Sequence, residues 1–458
     1  MLTKNYTGRR ARFARLAVSA IVLVAACSTD QLLKATDPDI INPSDTKSSE
    51  AAVALANGAI NTFRLTTGAA ESTWLFGGLL ADEWSTSSTF VQNDETDQRQ
   101  VQEFNSSVTA QLRNLYRART RSIEALNAMK ALRPDLRATI AELYLAKGFA
   151  EMQLALDFCN GIPISDGNAS PPVNGAPLSN ADVFKMAAAT LDTAIQWASG
   201  TDAQSVLMNR AAKTVRARVA LALGDFATAG TMVTGLPNGW AYQHTFSLTT
   251  SSNTLWGQGL SARRYSVGDS VEGNSRNILV ANAIPFASAK DPRLPVTIPT
   301  SGAINGQDGL TYTRTTTMWQ QLTPLDVVNA IDARMVEAEV ALKSGNVTGW
   351  LAILNALRAA PPKLGEIQPA AMPPLTDPGT DAARVSLHFR EKAFWTFSRG
   401  QRLGDLRRLI RQYGRTEANT FPQGVHYKGG SYMKDVNLPI VTDERNNVLF
   451  NGCTDRNP

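Results

Sequence analysis

Few residues in this sequence could carry out catalysis. Its three histidines, His244, His388 and His426, stand far apart, and none belongs to an HExxH motif or to another metal-ligand spacing. The sequence has no CxxC pair, P-loop, dinucleotide fingerprint or GxSxG elbow. Asp82 and Glu83 could form a glycosidase pair, but adjacent side chains point in different directions, so we interpret them as solvated surface acids. The sequence predicts a non-enzyme without metal or cofactor; a hydrolase using Asp82 or Glu83 is the alternative.

Binding chemistry is better represented, because aromatic residues stand beside amides and charged groups. Sugars present apolar C–H faces ringed by hydroxyls, and a flat aromatic ring with polar neighbours can hold them. Trp256 stands near Asn253 and Gln258, and Tyr265 follows Arg263 and Arg264. The predicted ligand-binding residues are Trp84, Asn93, Arg99, Trp256, Tyr265, Tyr312 and Trp319. The alternative for each aromatic residue is that it anchors its segment to the protein body.

Most of these aromatic residues belong to one long segment, approximately residues 235–322. It is rich in Gly, Ser, Thr and Asn and shows no sustained helical period. Connections of this length are usually functional or disordered, and disordered segments are poor in large aromatic residues. We therefore expect an ordered, loop-rich insert with short strands. A second such place is 74–92, where Trp84 and Phe90 follow a helix-like start.

The rest of the chain is predicted to be mainly α-helical. In 111–131, apolar residues from Leu112 to Met129 recur at steps of three and four. Pro134 and Asp135 are expected to open the next helix, since proline suits a first turn. Few polar residues interrupt that second helix, so we expect it to be buried between neighbours.

Two segments resemble each other and indicate a repeated helical unit. Residues 218–229 read RVALALGDFATA and residues 339–350 read EVALKSGNVTGW. Each predicts a helix, a glycine in left-handed conformation at its end, and a second helix. Such pairs resemble tetratricopeptide repeats, which stack to bury their faces. Because the spacing between the copies is irregular, we expect a helical-repeat scaffold that carries an insert.

The N-terminus has the pattern of an exported lipoprotein. Five basic residues precede the apolar run LAVSAIVLVAA, which is too short to span a bilayer, and no acidic residue occurs before Cys27. The tetrapeptide VAAC resembles a bacterial lipobox, in which Cys27 is lipidated. An ordinary cleaved signal, a coincidental apolar run and a twin-arginine signal at Arg9-Arg10 are the alternatives. The predicted organisation is a signal peptide at 1–26, a tether at 27–50 and one domain at 51–458.

Export changes the interpretation of charge. The chain has 45 Lys and Arg against 40 Asp and Glu, and loss of the leader removes five of the basic residues. The mature chain is therefore neutral, so the basic isoelectric point does not indicate nucleic-acid binding. No basic stripe with interleaved aromatic residues is present either. We predict attachment to the membrane through lipid and no nucleic-acid partner.

Two cysteines remain after lipidation of Cys27. Cys159 is expected at the end of a helix, and Cys453 lies near the C-terminus. An exported protein occupies a compartment that permits disulfides. We favour a bridge between Cys159 and Cys453; two free thiols are the alternative.

The C-terminal third carries a resemblance to a known family. Residues 388–411 read HFREKAFWTFSRGQRLGDLRRLIR. This segment resembles one in the SusD/RagB family, and the matching residues are Glu391-Lys392, Gly400, Arg402 and Asp405-Leu406-Arg407-Arg408. At Trp395 and Arg399 this chain departs from the family, which commonly has glutamates there. Four further segments are similar to family blocks in the same order: AELYLAKGFAEMQLALDFCNGIPIS, RARVALALGDFATA, ARMVEAEVALKSGN and the closing strand NLPIVTDERNN. We interpret the DLRR piece as a structural helix whose Arg and Asp residues tie loops together.

The resemblance implies a fold and a function. SusD/RagB proteins are outer-membrane, lipid-anchored nutrient binders that cap a TonB-dependent β-barrel transporter and bind oligosaccharides or peptides through loops over a tetratricopeptide-like body. By resemblance, this chain is expected to be such a protein, facing the outside of the cell. A helical-repeat scaffold that holds other envelope proteins through its concave face is the alternative.

Overall fold

A computed structural model describes residues 48–249, 251–299 and 305–458. The predicted lipidation site Cys27, the leader 1–26 and nearly all of the tether 27–50 lie outside the described residues. Contacts divide the chain into Met1–Ala51 and a second unit, Ala52–Pro458, which contains all the strands and helices discussed below except the first residues of the first helix. Within the described ranges, none of the helices combines the length and the apolar character needed to cross a bilayer.

Helices make up most of the regular structure. They are α1 Ser49–Gly68, α2 Thr73–Leu80, α3 Val91–Asp97, α4 Ser106–Leu132, α5 Arg137–Asp157, α6 Asn180–Trp197, α7 Ala203–Leu223, α8 Phe226–Val233, α9 Ala330–Lys343, α10 Val347–Ala359, α11 Asp381–Trp395 and α12 Arg402–Tyr413. From α4 to α10, each helix packs against the next one in the chain. This stacking of consecutive helical hairpins confirms the prediction of a mainly α, tetratricopeptide-like scaffold.

Local sequence explains where several of these helices begin. The side chain of Asn105 accepts hydrogen bonds from the backbone N–H groups of Ser107 and Val108 at the start of α4. The predicted helix 111–131 lies inside α4. Helix α5 begins at Arg137 rather than at Pro134, because the intervening residues form a turn in which the Leu136 N–H donates to the Arg133 carbonyl. As predicted, α5 is mostly buried: 15 of its 21 residues are buried.

The two similar segments form the same structure. Gly224 ends α7 with φ 79°, and Gly345 follows α9 with φ 78°; both angles lie in the left-handed region that favours glycine. The next residue then caps the second helix of each pair: Asp225 accepts from the Thr228 N–H and Asn346 from the Gly349 N–H, both at 2.9 Å. The predicted helix–glycine–helix unit is confirmed in both copies.

The strands are short and pair as two-stranded antiparallel ladders. They are β1 Trp84–Thr86, β2 Ile162–Pro163, β3 Pro177–Leu178, β4 Ala241–His244, β5 Tyr265–Val267, β6 Val271–Glu272, β7 Ile278–Leu279, β8 Val296–Thr297, β9 Thr315–Thr316 and β10 Leu325–Asn329. The pairs are β1–β5, β2–β3, β4–β10, β6–β7 and β8–β9. Strands β4 to β9 lie in the predicted insert, as expected. The predicted closing strand in NLPIV is wrong: in the described chain, Leu438 makes only an isolated bridge with Phe158.

The C-terminal tail is attached to the helical body. Cys159, which follows α5, and Cys453 form a disulfide with an S–S distance of 2.06 Å. This is the pairing that the sequence favoured. Asn160 adds a hydrogen bond from its side chain to the Asp455 carboxylate at 2.9 Å. The tail therefore closes over the end of α5.

Helix α12 lies in the interior although it is rich in arginine. Arg408 contacts both carboxylate oxygens of Glu339 on α9, and Lys392 of α11 donates to Asp405 at 2.7 Å. Burial alone would raise the pKa of Glu339, but the charge of Arg408 holds this pKa well below its ordinary value. Arg407 donates to the last carbonyls of α5. The arginines thus connect α12 to α9 and α5, and Asp405 connects it to α11. The segment is a structural helix, as expected, but its Arg and Asp side chains tie helices rather than loops together.

The same region corrects the prediction made for Asp82 and Glu83. Both residues are buried rather than solvated. Arg402 donates to Asp82 at 3.1 Å, and Glu83 accepts from the Ser398 N–H at 2.8 Å. Burial raises the pKa of Glu83 to about 8. The Asp82 carboxylate is the counter-charge of Arg402 in the interior. The prediction that these two adjacent acids lie on the surface is therefore wrong.

Candidate functional site

The candidate site forms where three distant segments meet at the end of the β1–β5 ladder. Ser87, which follows β1, donates from its N–H to the Arg264 carbonyl at 2.9 Å and from its hydroxyl to the Arg263 carbonyl at 2.8 Å. Its own carbonyl accepts from the Asp308 N–H at 3.1 Å. Ser87 therefore holds the segment after β1, the start of β5 and the loop around residue 308 beside one another.

An exposed aromatic ring lies at this junction. Phe90 immediately precedes α3, and 43% of its surface is exposed. Its N–H donates to the Ser88 hydroxyl at 3.1 Å, which fixes the backbone at the ring. The guanidinium carbon of Arg264 lies 4.8 Å from the ring centroid, a cation–π distance. The ring is thus oriented by its neighbours while it remains open to solvent.

Two glutamines hold the Arg264 guanidinium in place. Arg264 donates from Nε to Gln307 Oε1 at 2.8 Å and from Nη1 to Gln258 Oε1 at 3.4 Å. Gln258 belongs to a π-helix, Trp256–Ser261, and π-helical turns occur frequently at functional sites. We call Phe90, Arg264, Gln258 and Gln307 the Phe90 platform.

The chemistry of the Phe90 platform is that of recognition. An exposed phenyl ring can pack against the C–H face of a sugar, and guanidinium and amide groups can bond its oxygens. None of the four side chains is a carboxylate, imidazole, thiol or hydroxyl. The platform can therefore hold a ligand, but it supplies neither a nucleophile nor a general acid–base pair.

Three of the predicted ligand-binding residues form an aromatic cluster in the core. Trp84, Tyr265 and Trp319 are at most 5% exposed. The Trp84 ring lies 6.2 Å from that of Tyr265, 6.4 Å from that of Trp319 and 5.2 Å from that of Phe397. Trp84 also donates from Nε1 to the Ser398 hydroxyl at 2.9 Å. These rings attach the insert to the body, which was the alternative expectation for them, and their faces are closed to a ligand.

Asn93 and Arg99 are also committed to the interior. Asn93 is 3% exposed, so its side chain is closed to a ligand. Arg99 is fully buried; it donates to the carbonyls of Asp435 at 2.9 Å and Pro422 at 2.7 Å and contacts the Glu417 carboxylate. The expectation that these two side chains meet ligand is corrected, because both are buried and internal acceptors already occupy Arg99.

Trp256 and Tyr312 are half-buried and stay predictions. Trp256 packs against the core and shares the π-helix with Gln258. Tyr312 follows the loop that contains Gln307, and its N–H donates to the Asn274 side chain at 2.7 Å. Phe90 was not among the residues predicted from the sequence. An isolated aromatic residue within the polar segment STSSTFVQND is the signal that could have indicated an exposed ring.

A groove on the helical side is a concave feature of the surface away from the platform. One wall of the groove is formed by α10, and the other by the start of α9 and the residues at and before β4. The groove encloses about 650 Å³. Trp240, Ile353 and Leu357 contribute apolar surface, whereas Arg334 and Glu337 form a salt bridge of 3.0 Å at its edge. Its volume lies in the range of small-molecule sites. Across the described residues, no cluster of His, Cys, Asp or Glu is arranged to hold a metal ion.

Comparison with known proteins identifies the fold. A SusD superfamily protein from Bacteroides vulgatus aligns with a TM-score of 0.63 at 15% identity, covering 89% of this chain and 99% of the other. A SusD-like carbohydrate-binding protein from Bacteroides fragilis aligns with a TM-score of 0.65 at 13% identity, covering 88% and 98%. A laminarin-binding SusD-like protein aligns with a TM-score of 0.55 at 15% identity, covering 89% and 99%. No protein-family model and no curated protein matches the sequence. The chain therefore has the SusD-like fold, as the resemblance predicted.

Proposed function

We propose that the protein is a non-enzymatic nutrient-binding protein that captures oligosaccharides on the Phe90 platform. The observation that carries this proposal is an exposed phenyl ring whose neighbouring guanidinium is fixed by two amides. The fold adds support, because solved structures that share it include proteins described as carbohydrate-binding and laminarin-binding. Peptides are the other ligand class that the resemblance implies.

The proposal includes a place in the cell envelope. The lipobox-like VAAC sequence ending at Cys27 supports attachment to a membrane through lipid. The outer membrane and the outward face are what the family resemblance implies. Bound oligosaccharide would then be passed to a TonB-dependent transporter of the SusC type, the partner implied by the resemblance. Capture by equilibrium binding suits a surface without a nucleotide energy source, and a lipid tether raises the local concentration of the binder at the transporter.

The test measures oligosaccharide binding by residues 28–458. Neutral and acidic oligosaccharides, including laminarin fragments, are titrated calorimetrically into the wild type and Phe90→Ala. We expect at least one oligosaccharide to bind the wild type and the variant to lose ten-fold or more in affinity, because the ring supplies the apolar face of the site.

Phe104→Ala is the matched control, since Phe104 is an exposed phenylalanine outside the platform, at 69% exposure. It should retain wild-type affinity. If no oligosaccharide binds, or if Phe104→Ala weakens binding as much as Phe90→Ala, the proposal is wrong. Binding of peptides alone would assign the other ligand class.

A second candidate function is a scaffold that holds another envelope protein, for which the apolar surface of the groove beside α10, formed by Trp240, Ile353 and Leu357, would be the contact surface. Ala356 lies in the groove wall on α10, so Ala356→Trp would fill part of the space without altering the platform. If affinity purification from the native envelope recovers a partner that Ala356→Trp releases, while the oligosaccharide titrations stay flat, the scaffold function replaces the binding function. If Ala356→Trp retains the same partners and the oligosaccharide titrations are positive, the scaffold function is excluded.

A further inference from the structure

We infer that the ligand of the Phe90 platform is an acidic oligosaccharide whose carboxylate groups pair with Arg264. This inference rests on the proposed function and specifies its ligand class. It starts from the charge of Arg264: both of its hydrogen-bond acceptors, Gln258 and Gln307, are neutral amides. A guanidinium remains protonated at any physiological pH, so Arg264 presents an unneutralised positive charge beside the open ring.

Other charges near the platform do not cancel this one. Asp308 and Asp94 in the adjoining segments both pair with Lys428, at 3.0 and 2.8 Å, which leaves one net negative charge that the exposed Arg263 offsets. The side chain of Asp308 is only 6% exposed. The two other acids of α3 have partners away from Arg264: Glu95 accepts from Asn105 at 3.1 Å and Asp97 from the Thr86 N–H at 2.7 Å. Neither Arg263 nor Arg264 is paired with a carboxylate in the described parts of the chain. Segment 300–304, outside the described residues, contains no charged residue in its sequence.

The available hydrogen-bonding atoms point to the same ligand class. The amide oxygens of Gln258 and Gln307 already accept from Arg264, which leaves their N–H₂ groups to donate. Arg264 Nη2 makes no hydrogen bond within the described residues. The platform therefore offers donors. An ionised carboxylate only accepts hydrogen bonds and matches the planar geometry of a guanidinium. A sugar hydroxyl is also a donor, so it needs an acceptor for its own proton.

The exposed ring selects a sugar bearing that carboxylate over an acidic peptide. The Arg264 guanidinium lies over one face of the Phe90 ring, which leaves the other face and the edge as apolar surface for a pyranose ring whose carboxylate projects past the ring edge toward the cation. Uronic acids combine these two features in one residue. The geometry thus favours oligosaccharides that contain uronic acids.

The test compares ligands that differ only in charge. Tetragalacturonate and its methyl ester are titrated into residues 28–458 at low and at high NaCl. We expect the acid to bind at least ten-fold more tightly than the ester, with the preference shrinking as salt rises. Arg264→Gln should abolish the preference, Arg264→Lys should keep part of it, and Arg121→Gln, which removes an exposed charge on α4, should leave it unchanged.

Each other outcome has a defined meaning. If acid and ester bind equally, or if a neutral oligosaccharide binds through Phe90 with no effect of Arg264→Gln, the inference fails while the proposed function stands. Binding of a sulfated oligosaccharide in preference to tetragalacturonate, or of acidic peptides only, also overturns it. If none of the saccharides binds through Phe90, the proposed function itself has failed.

Discussion

The arginine helix α12 (Arg402–Tyr413) and the Phe90 platform use the same side chain in opposite ways. In α12, Arg402 and Arg408 are buried and paired with Asp82 and Glu339. On the platform, Arg264 is near the surface and held by amides that leave its charge intact. A charge that is neutralised by a buried carboxylate connects helices, and a charge held by neutral groups is available to a ligand. The partner of an arginine, rather than its presence, therefore indicates its role.

The largest effect should come from breaking the buried pair. Arg408→Met leaves the Glu339 carboxylate in the interior without its main counter-charge, and removal of one partner of a buried pair typically costs about 3–5 kcal/mol. Urea unfolding of residues 28–458 measures the loss. Arg121→Met, at an exposed pair on α4, should change the unfolding free energy by less than about 0.5 kcal/mol. A stable Arg408→Met protein would remove the structural half of the comparison.

Glu83 supplies a pH-dependent test of the interior. Its pKa is about 8 in the folded protein against an ordinary value of 4.5, so the unfolded chain loses this proton first. The free energy of unfolding should therefore fall as pH rises from 4.5 to 8, by about 2 kcal/mol between pH 6 and pH 8. Glu83→Gln should lose that part of the slope, because an amide does not ionise. Glu124→Gln, at a surface pair, should leave the wild-type slope unchanged.

Aromatic residues allow the same contrast between interior and platform. Trp84→Phe keeps a ring in the core but removes the donor to Ser398, which should lower the unfolding free energy by about 1–2 kcal/mol. Oligosaccharide affinity should not change, since Trp84 is closed to ligand. The reverse is expected of Phe90→Ala. Loss of binding in a stable Trp84→Phe protein would show that the aromatic cluster contributes to the site.

The smallest effect on stability should come from the platform cation. Arg264→Gln removes two hydrogen bonds near the surface and should change the unfolding free energy by no more than about 0.5 kcal/mol, even where it alters ligand preference. Thermal unfolding and titration on the same sample separate the two quantities. A large destabilisation would mean that Arg264 supports the fold in the manner of Arg408.

The helices and their repeated turns were predictable because their causes are local. Gly224 and Gly345 end helices through their own backbone angles, and Asn105 caps α4 by bonding the next turn. The loop-rich insert was predictable from composition. The site was predictable only in part: the segments around Gln258 and Arg264 were recognised as polar partners of aromatic residues. Of the aromatic residues chosen there, however, Tyr265 is buried and Trp256 is half-buried, and the exposed Phe90 was not chosen.

The sequence by itself determined the helical scaffold, the left-handed glycines and the loop-rich insert, because each depends on residues within a few positions of one another. Only the tertiary structure decided which aromatic rings and charges face solvent. Trp84 can lie in the core because Ser398, 314 positions away, accepts a hydrogen bond from its indole N–H, and Asp82 can be buried because Arg402 supplies a counter-charge. Phe90 is exposed because segments from three parts of the chain meet beside it and leave its ring uncovered. Burial depends on partners that are remote in sequence, and these partners separate the ring that can bind from those that hold the core.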